Sequence, residues 1–237
     1  MTVRAPIDTP VQKAALTESS GKRRRNTAHL RDHTRQVILE AATQEFAERG
    51  YFDVSIRDIA RRAGVAQGLA YHYFDSKESL FAAQVAYTTG IWIEEFLAWR
   101  ESQEFASLPG FLVEYLMFMR HFIQESHPAY FRFYMKHIHI DNLPHLDFFF
   151  DRVSMIQPYF QREIDAARRR GELRADLDPP IIVFQVETLS SSLQEAFYSD
   201  FLGMGLGIFK GDPEEIRQNL HRLIACGLAG VLEKTTQ

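Results

Sequence analysis

The sequence predicts an all-α protein of about nine helices, with a small amino-terminal domain of three helices followed by a larger helical domain. Apolar residues recur at helical spacing after Thr34, first in Val37, Ile38, Ala41 and Phe46, as expected for a buried helix face. No run of alternating β-branched residues predicts a strand. Turn-forming Pro, Gly and Asn divide the later helices, at residues 108–110, 127–128, 142–144, 171, 178–180 and 211–213.

The composition is that of an ordinary globular protein, because 46% of the 237 residues are hydrophobic and 24% are charged. The single cysteine, Cys226, excludes an internal disulfide and is expected to be buried. The apolar run from Leu223 to Leu232 is shorter than the ~18 residues that a membrane helix needs. The first 25 residues contain no apolar segment of a secretory signal. We therefore expect a cytoplasmic protein without a membrane partner.

Residues 1–33 are rich in Pro, Ser, Thr and charge, and we expect a disordered basic arm there. Residues 1–85 contain 13 Lys and Arg against 10 Asp and Glu, whereas the rest of the chain has 14 against 21. Lys22, Arg23, Arg24 and Arg25 are consecutive. Such a basic arm on an acidic chain is typical of a nucleic-acid contact, for which Arg24 and Arg25 are candidates. A solvated tail is the alternative.

Residues 55–74 carry the strongest local signal. Ser55 followed by Asp58 forms a capping-box pattern that predicts a helix start. Gly64 ends this helix after about two turns, and a second short helix is expected from Gln67 to about Phe74. Two short helices joined by a turn that contains glycine predict a helix-turn-helix, whose second helix enters the major groove of DNA.

The open face of the second helix suits DNA. Gln67 can present an amide to base edges, and Gly68 permits a close approach to a phosphate. Tyr71 and His72 add a hydroxyl and an imidazole, and residues 59–74 contain no Asp or Glu. Lys77, at the expected start of the next helix, adds positive charge to the positive end of the helix dipole. A bound phosphate would make this arrangement favourable, whereas a solvated Lys77 is the alternative.

Residues 35–85 resemble the amino-terminal domain of the TetR (tetracycline-repressor-like) family of bacterial transcription regulators. Two departures are Ala66, where the family usually has Ser or Thr, and Ala70, where a larger aliphatic residue is usual. The matching residues are Ile38, Ala42, Phe46, Gly50, Tyr51, Ile59, Ala60, Gly64, Val65, Gly68, Tyr71, Phe74, Lys77 and Leu80.

The resemblance implies an all-helical homodimer whose variable carboxy-terminal domain binds a small effector and thereby weakens binding to the operator DNA. It also implies that Tyr71, His72 and Lys77 contact phosphates and that Gln67 and Gly68 lie in the groove. Ser55 would anchor the first of the two short helices to the DNA backbone.

The carboxy-terminal part is unusually aromatic, because residues 86–237 hold 15 of the 19 Phe and both Trp. These rings either fill the core or line an effector cavity, since ligand pockets are mostly apolar with a few polar groups. A hydrophobic or aromatic effector is expected. The candidate effector-binding residues are Trp92, Tyr115, Phe118, Phe122, Arg132 and Tyr134.

Metal binding and catalysis have little support in the sequence. His137, His139, Asp141 and His145 are close in sequence, but a spacing of two residues points the first two imidazoles to different sides of a helix. No phosphate-binding loop or catalytic triad is present. We expect no metal, no cofactor and no enzymatic activity.

The last two long helices are expected to form a homodimer, as a four-helix bundle around a two-fold axis. Packing inside the chain is the alternative for their apolar stripes. The residues of these stripes are Ile181, Val183, Phe184, Val186, Leu189, Leu193 and Phe197 in one helix and Ile216, Leu220, Leu223, Ile224, Gly227, Leu228 and Val231 in the other.

These observations predict a ligand-responsive DNA-binding transcriptional regulator, with a repressor favoured over an activator. The expected organisation is a basic arm (1–33), a helix-turn-helix domain (34–80) and an effector-binding and dimerisation domain (81–237). One alternative is a small-molecule sensor or interaction module that has lost DNA binding, for which Ala66 is the hint. Another is an all-α enzyme with its active site among the aromatic residues.

Overall fold

The computed structural model describes the backbone of residues 10–137, 154–196, 208 and 211–233, and most of their side chains from His29 onward. This part of the chain forms nine α-helices, so the all-α fold is confirmed. A π-helical turn (Phe122–Ser126) follows α5, and a 3₁₀ turn (Ser154–Ile156) precedes α7. The helices are α1 (Pro10–Arg49), α2 (Ile56–Ala63), α3 (Gln67–Tyr73), α4 (Lys77–Glu101), α5 (Leu108–His121), α6 (Pro128–His137), α7 (Gln157–Arg169), α8 (Pro179–Ala196) and α9 (Pro213–Gly227).

Helix α1 is much longer than its sequence predicts. It begins at Pro10 and therefore runs through most of the segment 1–33, which was expected to be disordered. Residues 12–16, Gln-Lys-Ala-Ala-Leu, are strong helix formers, and proline is tolerated at a first helical position. Five successive residues, 29–33, are exposed on all sides of the helix. This part of α1 thus lacks a packed face.

The first three helices and the start of α4 share one apolar cluster. Ile38 and Phe46 of α1 pack with Ile59 of α2, Ala70 of α3 and Phe81 of α4. Two arginines tie α2 to α1 beside this cluster. Arg62 Nε donates to Glu45 Oε1 at 2.7 Å, and Arg49 Nη1 lies 3.6 Å from Asp58 Oδ2. These contacts fix how α2, and hence α3, is presented.

A second apolar cluster joins the later helices. It contains Phe96 of α4, Phe111 of α5, Ile164 of α7, Val186 of α8 and Leu220 of α9. Helix α4 reaches both clusters and crosses the expected boundary after residue 80. Helix α6 also reaches the first cluster, because its Phe133 packs there with Phe46 and Phe81.

Helices α8 and α9 use their apolar stripes mainly inside the chain. Seven residues of the two stripes are buried in the second cluster, which corrects their assignment to a dimer surface. These residues are Val186, Leu193, Ile216, Leu220, Ile224, Leu228 and Val231. Periodicity identified the apolar side of each helix correctly, but it does not specify what covers that side. Ile181 and Phe184 of α8 remain exposed. Phe197 lies outside the described residues.

Two further expectations from the sequence concern the burial of Cys226 and the absence of a membrane-spanning helix. Cys226 is exposed on α9, so the expectation that it is buried was wrong; the buried side of this helix is formed by Leu220 and Ile224 instead. In the described ranges, none of the helices combines the length and apolar character that crossing a membrane requires.

Candidate nucleic-acid interface

Ser55 begins α2 through a complete capping box. Its Oγ accepts the backbone N–H of Asp58 at 3.2 Å, and its own backbone N–H donates to Asp58 Oδ2 at 3.1 Å. The Ser55 hydroxyl also donates to Oδ2, at 2.5 Å. These hydrogen bonds lower the pKa of Asp58 to about 2, and the one from the Ser55 hydroxyl has the largest effect. The Ser55 hydroxyl proton is thus used inside the box.

We expect Ser55→Ala to lower the free energy of unfolding by about 1 kcal/mol at neutral pH, because an N-cap is lost. The folded-state pKa of Asp58 lies below its unfolded value of about 3.9. Its contribution to stability is therefore present above about pH 4 and is lost as the pH falls towards 2. Urea unfolding at about pH 7 and about pH 3 should show a smaller difference between variant and wild type at the lower pH.

Ser191→Ala is the matched control for this prediction, because Ser191 is an exposed serine within α8. It should change the free energy of unfolding little at either pH. A difference between Ser55→Ala and wild type that is the same at both pH values would contradict the role of the Asp58 carboxylate.

The turn between α2 and α3 depends on glycine. Gly64 has a φ of 68°, in the left-handed region, and the backbone N–H of Val65 donates to the carbonyl of Ala60 at 3.0 Å. Ala60 is buried where α2 and α3 meet, as expected from its small size. Ala66, where the family usually has Ser or Thr, provides no side-chain hydrogen bond to cap the start of α3.

Helix α3 turns one face inwards and presents the other to solvent. Ala70 is fully buried. Gln67, Gly68, Tyr71 and His72 are exposed, and Tyr71 keeps 47% of its surface accessible. An additional Cβ at Gly68 would meet no atom within 4 Å, so the backbone there is open to a ligand. The exposed face of α3 carries no carboxylate.

Lys77 lies at the first position of α4, directly after the cap residue Ser76. Its Nζ donates to the carbonyl of Phe52 at 3.3 Å and lies 4.4 Å from the centre of the Tyr51 ring. Partial burial lowers the pKa of Lys77. The ammonium group is therefore held beside the turn between α1 and α2. Phe52 in that turn is 69% exposed.

Two further arginines were not chosen as candidates from the sequence. Arg57 is exposed on the first turn of α2, two residues after Ser55. The exposed Arg35 of α1 lies over the ring of Phe74, which follows α3, at 5.5 Å from its centre. The position of Arg57 just after a capping box was readable in the sequence, whereas the contact between Arg35 and Phe74 depends on tertiary packing.

The aromatic candidates for effector binding gather around Phe96. Its ring centre lies 6.1 Å from those of Trp92 and Tyr115 and 6.2 Å from that of Phe118. Phe122 continues this row at 6.3 Å from Phe118. Helix α4, helix α5 and the π-helical turn after α5 thus bring four of the five predicted aromatic residues to one region, in which their rings pack against one another.

The other candidates differ in how the structure describes them. Arg132 is exposed on α6. The side chains of Tyr134, Arg24 and Arg25 lie outside those described. Of the histidine cluster, only His137 is described, and both of its ring nitrogens bind backbone groups of the protein. His139, Asp141 and His145 lie outside the described residues.

The capped α2, the Gly64 turn and the exposed α3 together define a helix-turn-helix. Residues 38–83 match the family model described as "Bacterial regulatory proteins, tetR family". The transcriptional repressor KstR2 of Rhodococcus jostii RHA1 is 50% identical over 46 residues, which are 19% of this chain and 22% of that protein. The resemblance to the TetR family is thereby confirmed over residues 38–83, which match its family model.

Solved structures extend the likeness to most of the chain. A TetR family transcription regulator from Marinobacter aquaeolei VT8 has a TM-score of 0.62 at 20% identity, over 90% of this chain and 100% of that chain. FadR of Bacillus subtilis, in complex with stearoyl-CoA, has a TM-score of 0.62 at 19% identity, over 81% and 98%. At these identities the likeness shows a shared fold.

Proposed function

We propose that the protein is a dimeric DNA-binding transcriptional regulator, acting as a repressor that a small hydrophobic or aromatic effector releases from its operator. The observation that carries the proposal is the exposed, carboxylate-free face of α3, set on the turn at Gly64. Such a helix fits the major groove, where a carboxylate would be repelled by phosphates.

Each candidate residue has a distinct role in this proposal. Gln67 and Gly68 face base edges, while Tyr71 and His72 bind phosphate oxygens. Lys77 adds a positive charge at the adjacent start of α4. Ser55 contributes by its position at the start of α2, because its hydroxyl and its backbone N–H both donate to Asp58. Exposed Arg35 and Arg57, together with Arg24 and Arg25, supply further positive charge for the phosphate backbone.

The direct test is the affinity for labelled duplexes from the gene's own upstream region, measured by fluorescence anisotropy. We expect sequence-specific binding that Tyr71→Ala and Lys77→Ala each weaken by about tenfold, as expected for the loss of a charge-assisted or hydroxyl contact to phosphate. Arg168→Ala removes an exposed arginine from α7 and is the matched control, which should bind as wild type does.

Two outcomes would count against this assignment. Specific binding that neither Tyr71→Ala nor Lys77→Ala weakens would contradict the proposed contact residues. Failure to bind any upstream duplex, together with retained binding of a small molecule, would favour the sensor or interaction module that has lost DNA binding.

The effector part of the proposal is supported by the aromatic residues around Phe96 and by the fold shared with FadR, whose structure contains stearoyl-CoA. Partly exposed Trp92 and Phe118 would contact a hydrophobic effector directly. Tyr115 and Phe122 are buried and would support them. Arg132 and Tyr134 complete the proposed set. Native mass spectrometry of the purified protein would report both the dimer and a bound small molecule.

A further inference from the structure

The last turn of α6 holds the turn that connects α1 to α2. Lys136 Nζ donates to the carbonyls of Glu48 at 2.6 Å and Ala47 at 3.3 Å, which are among the free carbonyls at the end of α1. Gly50, with a φ of 88°, then reverses the chain. Residues from the later part of the chain thus bind the backbone just ahead of the helix-turn-helix.

His137, the next residue of α6, makes a more specific contact with the same turn. Its Nε2 accepts the backbone N–H of Tyr51 at 2.9 Å, and its Nδ1 donates to the carbonyl of Phe133 at 2.6 Å. Only one arrangement of protons satisfies both hydrogen bonds: a neutral imidazole that carries its proton on Nδ1. His137 is 1% exposed, and the helix-turn-helix described above makes no use of its imidazole.

Tyr51 links this hydrogen bond to the proposed DNA interface. The Lys77 ammonium lies 4.4 Å from the centre of the Tyr51 ring, and the Tyr51 hydroxyl donates to Glu78 Oε1 at 3.1 Å. The Tyr51 ring therefore positions the first turn of α4. A change in the backbone at Tyr51 would move this ring and the lysine above it.

We propose that His137 is a positioning residue for DNA binding: its neutral imidazole fixes the backbone of Tyr51 and, through the Tyr51 ring, the position of Lys77. The inference rests on the proposed function, because it assumes that the helix-turn-helix binds DNA. Loss of the acceptor would leave the buried N–H of Tyr51 without a partner, and such a group is costly. The turn would then adopt other conformations in which Lys77 is misplaced.

The proposal also predicts how DNA binding depends on pH. A protonated imidazole has N–H groups at both nitrogens, so it cannot accept the N–H of Tyr51. Burial and, to a lesser degree, the charge of Lys136 lower the pKa of His137. The contact is therefore intact at neutral pH and is lost in acid, below the ordinary pKa of about 6.5.

The groups around the ring are mainly apolar among the described residues. Phe46 of α1, Phe81 of α4 and Phe133 of α6 contact it, with ring centres 6.4, 5.5 and 4.6 Å away. Titratable and charged groups lie near the hydrogen bond between His137 and Tyr51. Lys136 binds the backbone of Glu48 at the end of α1, and the Tyr51 side chain contacts Lys77 and Glu78 at the start of α4.

The test compares His137→Gln, whose side-chain oxygen can replace Nε2 as an acceptor, with His137→Leu, which cannot accept. The first measurement is hydrogen exchange at the Tyr51 amide in the free full-length protein. The second is the affinity for the upstream duplex at about pH 7.5 and at successively lower pH, as far as the wild type stays folded. His72 is present in every variant, so the difference between wild type and His137→Gln isolates His137. The control is His221→Gln, because His221 is an exposed histidine of α9.

We expect His137→Leu to raise the exchange rate of the Tyr51 amide and to weaken DNA binding at about pH 7.5 by about tenfold, as for one buried donor left unpaired. His137→Gln should restore most of the protection of the Tyr51 amide from exchange and most of the affinity for DNA. In acid, it should lose less affinity than wild type and His221→Gln do. Equal pH profiles for wild type and His137→Gln would overturn the proposal, even if His137→Leu fails to fold. Unchanged exchange at Tyr51 in His137→Leu would also overturn it. Because exchange is measured without DNA, it separates this proposal from a failure of wild type to bind any duplex.

Discussion

Gln67→Glu should weaken specific DNA binding by about 100-fold while leaving the fold intact. The two side chains have nearly the same shape, but the carboxylate is repelled by phosphates and cannot donate to a base edge. Gln67 is exposed and is the first residue of α3, where an acidic side chain is favourable or neutral for the helix. The thermal midpoint should therefore not fall. Anisotropy titrations with the upstream duplex, together with thermal unfolding, measure the two effects separately.

Gln157→Glu is the matched control for this prediction. Gln157 is also an exposed glutamine at the first position of a helix, α7. The two variants change the net charge equally, so only the place of the new carboxylate differs. Equal losses of affinity in both variants would show that the total charge of the protein matters and that the face of α3 does not.

Phe184→Asp should convert a dimer into monomers and thereby weaken operator binding by about 100-fold or more. Phe184 is 69% exposed and Ile181 is 52% exposed, which leaves an apolar surface on α8. A groove of about 340 Å³ lies beside them; its lining residues are Gln161, Pro179, Pro180, Val183, Phe184 and Glu187. Two linked recognition helices bind two half-sites far more tightly than separate ones do. Sedimentation equilibrium reports the mass.

Met155→Asp is the control for the dimer prediction, because Met155 is another exposed apolar side chain, in the 3₁₀ turn before α7. It should keep the dimer mass and the affinity for DNA. A Phe184→Asp protein that remains a dimer would place the contact between subunits elsewhere. A monomer that binds the duplex as tightly as wild type would separate dimerisation from DNA binding.

Local signals predicted the helix-turn-helix well because short segments determine them. The capping box at Ser55 and the left-handed Gly64 each depend on residues within four positions of one another. The acid-free face of α3 was equally readable, because Ala70 marks the buried side of the helix. The structure thus agrees with the predictions from the sequence where neighbouring residues decide the local conformation.

Contacts between distant residues could not be predicted in this way. The hydrogen bond from Tyr51 to His137 joins residues 86 positions apart, and no spacing rule connects them. For α8 and α9, the stripes showed which sides were apolar, but Val186 and Leu220 turned out to lie in the chain's own core. The length of α1 was also missed, because Pro and charge near its start suggested disorder while the helix formers after Pro10 favour a helix.

Site-specific cross-linking to DNA tests the central claim most directly. Cys226 is the single cysteine and is exposed, so a Cys226→Ser background leaves each introduced cysteine as the only thiol. Gln67→Cys and Gln157→Cys in this background would each be labelled with a short photoreactive group and bound to the upstream duplex. We predict that the probe at residue 67 cross-links to a base in the major groove and that the probe at residue 157 does not. Specific binding without a cross-link from residue 67, or with equal cross-links from both positions, would contradict the claim that α3 enters the groove.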